Sequence, residues 1–269
     1  MTDLSTATST SVERAFELLD LIAAAPDGLS LSELTALAPR SKSTTHRYVA
    51  TLLGLGVVRR DDAGRLRPGL KLLELAVALL EGDDLRATAG PLLADLARHT
   101  GETVHLGVLS EGEVVYIAKI ESPHSVRLVS RIGARVPLHC SAMGKALLAS
   151  LSPEELDAAL AGRSRERRTP HTLTGAAELR AEIERVRASG IAIDDEENEA
   201  GVRCLGAAIA GPAGTAAGAI SVSAPAGRMP LERCHELAPI VREASAEISR
   251  RLTGARDSSP RATAERSLR

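Results

Sequence analysis

The 269 residues carry a formal net charge of −2, with 44% hydrophobic and 25% charged side chains. That balance is globular, excludes a disordered chain, and gives no whole-chain reason to bind nucleic acid or an anionic membrane. Only three aromatics (Phe16, Tyr48, Tyr116) and no Trp are present, which excludes base-stacking single-strand binders and aromatic cation cages. The cysteines Cys140, Cys204 and Cys234 are far apart, against a disulfide framework or structural zinc. With neither a leader-like start nor an apolar run of ~20 residues, the expectation is a cytoplasmic protein of two domains without membrane contact.

Residues 1–10 are small and polar and predict a disordered arm. Val12, Ala15, Phe16, Leu18, Leu19 and Ile22 recur at helical spacing until Pro26-Asp27-Gly28 stops them. Ser30 and Glu33 have capping-box spacing ahead of Leu31, Leu34 and Leu37, a short second helix that Pro39 ends. A third helix starts near Ser41, carries Val49, Leu52 and Leu53 inward, and closes at Gly54 and Gly56. Two short runs around Asp62-Ala63-Gly64 predict a hairpin. Three helices and a wing make a winged helix-turn-helix over residues 11–69. The segment 70–85 is a linker helix, apolar at Leu70, Leu73, Val77 and Leu80. A helix that shows such a stripe to water is expected to pack on its twin, giving a homodimer.

The charge needed for DNA is local. From Pro39 to Lys71, eight basic residues against Asp61 and Asp62 give +6. A recognition helix places polar and basic groups in its first turns, which enter the major groove. The candidates are Arg40, Lys42, Ser43, Thr44, Thr45, His46 and Arg47, with Arg59, Arg65 and Arg67 from the wing as phosphate contacts. The partner is then double-stranded operator DNA, near-palindromic for a paired module. The competing possibility is a solvated basic face on a protein–protein winged helix.

The second domain, residues 86–253, alternates helices and strands. A helix ends at Thr100-Gly101, and Thr103–Leu109 with Glu113–Ile120 forms a hairpin. Val126–Val129 is a further strand, followed by helices over Ala142–Leu151, Pro153–Ala161 and Ala177–Ser189. Strands return at Ile191–Asp194, Val202–Ala210 and Ala217–Val222, and a helix over Leu237–Leu252 closes the domain. Residues 254–269 predict a disordered tail. The fold class is α+β, with an antiparallel sheet carrying helices on its faces.

Where a loop becomes a helix at His139–Lys145, the free amides of Ala142–Lys145 predict a cradle for a carboxylate. Ser221 and Ser223 put two hydroxyls on one side of a strand. Cys140, His139 and Asp194 could instead form a cysteine-dependent enzyme's nucleophile, and Cys140 with Cys204 could form a thiol redox sensor. The acid run Asp195-Glu196-Glu197 reads as a solvated loop rather than a metal site. The basic run Arg163, Arg165, Arg167, Arg168 reads as solvated or as a subunit contact. No metal or cofactor is expected, and the regulator reading is preferred to the enzyme.

The segments VERAFE (Val12–Glu17), GLSLSEL (Gly28–Leu34) and KSTTHRYVATLL (Lys42–Leu53) resemble the DNA-binding domain of the IclR family of bacterial one-component transcriptional regulators. VHLGVL (Val104–Leu109), GEVVYIAKIES (Gly112–Ser122), RIGARVPLHCSAMGKALLA (Arg131–Ala149), TPHTLT (Thr169–Thr174), IDDEENEAGVRC (Ile193–Cys204) and AISVSAP (Ala219–Pro225) resemble its effector domain. The resemblance spans roughly residues 11–253. One departure is Pro39-Arg40-Ser41, where the family has a Gly-Leu-Pro or Gly-Leu-Ala turn. The resemblance implies a GAF-like (PAS-like) second domain, and effector domains that extend the homodimer towards a dimer of dimers. It also implies an effector pocket lined by Ala142, Met143, Asp194, Cys204, Ser221 and Ser223. A carboxylate at the amide cradle, with a hydroxyl or carbonyl towards Asp194 and the serines, makes a small organic acid the expected effector. The protein is then expected to be a repressor of a catabolic or metabolic operon.

Overall fold

The computed structural model describes residues 10–38, 41–161, 165–211 and 214–257. The arm to residue 9, the Pro39-Arg40 turn, Arg163 and the tail from residue 258 lie outside the described residues. The chain divides between Gly82 and Asp83, inside the segment expected to be one linker.

In the first unit, α1 (Thr10–Ala23), α2 (Leu31–Leu37) and α3 (Lys42–Gly54) precede the hairpin β1 (Val58–Arg60) and β2 (Leu66–Pro68) and the helix α4 (Leu70–Glu81). Thr10 already belongs to α1 rather than to the arm. Leu18, Ile22, Leu34, Val49, Leu52, Val58 and Leu66 close one small core. The Ser30 cap is reciprocal: the Glu33 amide donates to Ser30 Oγ at 3.2 Å, and the Ser30 amide donates to Glu33 Oε2 at 2.7 Å. Leu29 and Leu66 form a bridge that ties the wing to the start of α2. No residue of α4 is buried, and its exposed apolar residues include Leu75 and Leu79 as well as Leu70, Leu73 and Val77. The apolar surface is thus broader than a single stripe.

The second unit opens with α5 (Asp84–Thr100), β3 (Thr103–Ser110), β4 (Glu113–Ile120) and β5 (Arg135–Pro137). Helices α6 (Ala142–Ala149), α7 (Pro153–Leu160) and α8 (Ala176–Ser189) follow. The chain then runs through β6 (Ala192–Asp195), β7 (Val202–Ala210), β8 (Ala216–Pro225) and α9 (Leu231–Asp257). The strands form one antiparallel sheet in the order β5-β4-β3-β8-β7-β6. Strand alternation sorts side chains between its faces. Val104, Leu106, Leu205, Ala207, Ile220 and Val222 pack with α5 and α9, while Ala219 and Val114 meet α6, α7 and α8.

Two sequence expectations change here. Val126–Val129 is not a strand: Arg228 Nη1 bonds the Val126 carbonyl (2.8 Å) and Lys119 Nζ bonds the Ser130 carbonyl (2.8 Å). Side chains, not a ladder, satisfy this segment, and Val126 and Val129 are exposed. The strand beside β4 is Arg135–Pro137 instead. The last helix begins six residues before Leu237 and runs to Asp257, carrying Pro239 within it; buried Cys234 anchors its first turns to the core.

Candidate functional site

Each unit carries a candidate site. In the first, Ser41 caps α3, its Oγ lying 2.8 Å from Thr44 Oγ1. Lys42, Ser43, His46 and Arg47 are exposed along one side of α3 and Thr44 is half-buried. Thr45 is not available to DNA: it is fully buried and its hydroxyl donates to the Ser41 carbonyl at 3.4 Å. The period of 3.6 turns it inward with Val49 and Leu52. Arg47 lies 5.8 Å over the Tyr48 ring, a contact that orients its guanidinium.

The wing differs from expectation. Arg59 is exposed, but Arg65 donates to the Asp27 carbonyl (2.9 Å), the Gly28 carbonyl (2.7 Å) and Glu33 (3.1 Å). Arg67 donates to the Pro26 carbonyl and to Asp61, both at 2.7 Å. The Arg67 bond, with amides of the wing turn, holds the Asp61 carboxyl below its ordinary range. Both arginines therefore clamp the wing to the turn before α2 rather than standing free for phosphate. Charge counting along a sequence cannot see that distinction.

The second site lies on the sheet face covered by α6. Register builds it. Asp194 pairs with Cys204, Cys204 with Ser223, and Ser223 with Thr103. In the next row Gly206 pairs with Ser221, Ser221 with His105, and His105 with Lys119. One face therefore collects polar side chains from five strands, and Ser221, Ser223, Asp194, Thr103 and His105 are all buried. The start of α6 sits directly on it: a Cβ on Gly206 would lie 2.7 Å from the carbonyl carbon of Ala142 and 2.9 Å from the Met143 nitrogen. Only glycine lets that helix end approach so closely.

The amide cradle is narrower than the sequence predicts. Ser141 Oγ accepts the Gly144 amide at 3.1 Å and the Ser141 carbonyl accepts the Lys145 amide at 2.9 Å. The cradle is thereby reduced to the amides of Ala142 and Met143 as candidates for a ligand oxygen. Asp194 Oδ1 accepts the amides of Glu197 (2.8 Å) and Asn198 (3.2 Å), and burial still pushes its carboxyl up to about 7.

Sequence reasoning missed the charges beneath this site. The Lys145 side chain is 0% exposed and bonds Glu197, Glu182 and the Ile193 carbonyl. Glu197 is therefore not part of a solvated acid loop; Asp195 pairs with Arg203 and Glu196 accepts the Gly201 amide. The TPHT motif has a similar structural use, because Thr169 and Thr172 hydroxyls bond the carbonyls of Glu196 and Glu197 at 2.7 and 2.6 Å. Arg165, Arg167 and Arg168 bond carbonyls of Leu160, Thr172 and Asn198; Arg167 and Arg168 are exposed as expected of a solvated run, and the bonds also pin the loop. The period-two signal that would have found His105 was present in Thr103–Gly107.

The cysteines do not assemble a nucleophile. His139 Nε2 contacts the Glu166 carbonyl at 3.1 Å, while Cys140 Sγ faces Asn198 Oδ1 at 3.8 Å. Burial pushes the Cys140 thiol up to about 12 and also raises Cys204. Thiols held protonated are poor nucleophiles and slow redox sensors. Among the described residues no cluster of His, Cys, Asp and Glu could hold a metal, and no helix is long and apolar enough to cross a membrane.

A family model described as the IclR helix-turn-helix domain matches residues 11–62, and one described as the C-terminal domain of the bacterial transcriptional regulator IclR matches residues 77–250. The HTH-type transcriptional regulator XynR of Escherichia coli K12 is 40% identical over 196 residues, 72% of this chain and 78% of XynR. The Thermotoga maritima IclR crystal structure aligns at a TM-score of 0.76 and 36% identity, covering 90% of this chain and 98% of that one. An IclR homologue from Microbacterium hydrocarbonoxydans, complexed with 4-hydroxybenzoate, aligns at a TM-score of 0.78 and 26% identity, covering 90% and 99%.

Proposed function

Since the chain belongs to the IclR family of transcriptional regulators, we propose that its effector-responsive DNA binding runs from the buried polar face of the second unit to the exposed side of α3. The single observation that carries the pocket assignment is the row Asp194, Cys204, Ser223 with Ser221 beside it, lying under the amides of Ala142 and Met143. A helix N-terminus attracts negative charge, so a carboxylate belongs at those amides. Ser221 and Ser223 offer hydroxyls to the remaining oxygens, and Asp194, protonated below about pH 7, can donate as well. A small organic acid fits this set, in keeping with the 4-hydroxybenzoate bound by the Microbacterium homologue.

On the DNA side, Lys42, Ser43, His46, Arg47 and Arg59 form the operator surface, with Thr44 at its edge; Arg40, just before α3 in the chain, is a further contact. The apolar surface of α4 supports a homodimer, and paired dimers where the second units also associate. Two modules then read a near-palindrome with half-sites about one helical turn apart. The transcriptional repressor IclR of Escherichia coli K12, 32% identical over 249 residues, supports a repressor that lets its operator go when the effector binds. The effector shifts two arrangements of the dimer only by its differential affinity for them. An operator-DNA partner supports a cytoplasmic location, and the raised thiols argue against an enzymatic role.

The test is a gel-shift titration with a panel of keto, hydroxy and aromatic acids. Ser221→Ala combined with Ser223→Ala should need at least about tenfold more effector to release DNA, the loss of one or two hydrogen bonds, while ligand-free operator affinity stays unchanged. Release at the wild-type concentration removes the serines from the pocket.

A further inference from the structure

His105 is not among the residues that the family resemblance assigns to the effector, yet it stands in the same row. It is the cross-strand partner of Ser221 on one side and of Lys119 on the other, and only 1% of it is exposed. Its ring stacks on Tyr116 with centroids 4.5 Å apart and planes 21° from parallel. Nε2 lies 2.8 Å from Ser130 Oγ, in the segment that Lys119 and Arg228 hold by its carbonyls. Nδ1 is buried and has no hydrogen-bond partner among the described residues. A buried ring nitrogen without a partner is costly, because its desolvation is uncompensated. Stacking and the Ser130 bond fix the ring, so it cannot swing out to water to recover the loss.

Three features converge on what belongs there. The imidazole is uncharged at neutral pH, since burial and nearby Lys119 lower it to about 4; it can offer one hydrogen bond but not a charge. Whether Nδ1 donates or accepts depends on which way the Ser130 hydroxyl turns, and a ligand hydroxyl satisfies either state whereas a carbonyl satisfies one. Finally, β7 and β3 flank β8, so Gly206 beneath the α6 amides and His105 are separated by two strand spacings, roughly 10 Å between Cα atoms. A two-carbon acid cannot reach both ends.

We propose that His105 is an effector ligand that selects acids bearing a hydroxyl remote from the carboxylate, separated from it by a ring or several carbons. The inference rests on the pocket assigned above and adds the residue that reads the far end of the ligand. Tyr116 forms the wall beside that hydroxyl and holds the imidazole plane. The Ser130 bond makes the 121–134 segment part of the enclosure.

The experiment is calorimetric titration of the intact protein with matched pairs: 4-hydroxybenzoate against benzoate, and 4-hydroxybutyrate against butyrate. Wild type should bind at least one hydroxy acid about tenfold more tightly than its unsubstituted partner, the worth of one well-made hydrogen bond to a buried group. His105→Leu should erase that preference while leaving the unsubstituted acid within about twofold of its wild-type Kd. His105→Asn, which keeps a polar atom near the Nδ1 position, should retain part of it and guards against a folding artefact in the leucine variant. A preference that survives in His105→Leu, or one absent from wild type, overturns the inference. The Ser221→Ala, Ser223→Ala protein separates the two levels. If it loses affinity for both members of a pair while His105→Leu keeps the hydroxyl preference, the pocket stands and the role of His105 falls. If it binds both acids as wild type does, or if wild type binds neither member of either pair, the pocket assignment falls and the inference with it.

Discussion

The two units treat polarity in opposite ways. The first unit keeps an apolar core and sets the proposed operator contacts, Lys42, Ser43, His46 and Arg47, on an open helix face. The second unit buries the groups proposed for the effector and the charges beneath them. Asp194, Ser221, Ser223, His105, Lys145 and Glu197 are all within the protein, each tied to others by register or by ion pairs. Exposed groups can change with little consequence for folding. Buried polar groups cannot, because most belong to a set whose members satisfy one another, and one left over, such as His105 Nδ1, has no water to turn to. Removing a working residue should therefore cost function alone in the first unit, and function together with stability in the second.

The largest effect should come from Lys145→Met. It leaves Glu197 and Glu182 facing each other without their shared cation, and stripping one partner from a buried pair costs about 3–5 kcal/mol. Urea unfolding followed by circular dichroism should show a lower midpoint. An unchanged midpoint would mean that the network is no tighter than a surface pair. Next in size, Arg47→Ala should weaken operator binding by roughly 1–3 kcal/mol with no change in unfolding. Arg65→Ala should do the reverse, loosening the wing by at most about 1 kcal/mol, since its guanidinium is partly exposed.

A pH titration sharpens the comparison further. Asp194 is raised to about 7 by burial, so it is neutral below that pH and ionised above it. Affinity for an anionic effector should be full below pH 7 and fall above it, by up to about tenfold per unit, and Asp194→Asn should flatten the profile. The same shift makes the contribution of Asp194 to folding stability greatest below its ordinary carboxylate range, declining as pH rises through 7. An effect of the same small size as that of Arg65→Ala belongs to Ser30→Ala, which removes the α2 cap and should cost about 1 kcal/mol of first-unit stability. No shift in its thermal midpoint would show that Glu33 alone holds the helix start.

The first unit was largely legible because its signals are local: caps, breaks and apolar spacing place α1 to α4 within a few residues. What failed there was the fate of individual side chains. Thr45 turns inward, and Arg65 and Arg67 find carbonyl partners some 37 to 41 residues away in the chain. In the second unit the strands β3, β4, β6, β7 and β8 were legible from alternation, but Val126–Val129 was not separable from a strand by composition. The Lys145 network joins residues 37 and 52 positions apart, and no local pattern announces it. The site residues Ser221, Ser223 and Asp194 came through the motifs that carry them; His105 came only with the register.

The most direct test of the buried site is a crystal structure of the protein grown with whichever acid of the panel releases its operator. The ligand should lie over β8, with its carboxylate within hydrogen-bond distance of the Ala142 and Met143 amides and its remaining oxygens on Ser221 and Ser223. Density for the acid instead in the cleft of about 540 Å³ lined by His171, Glu182 and His235, with the polar face of the sheet untouched, would contradict the account.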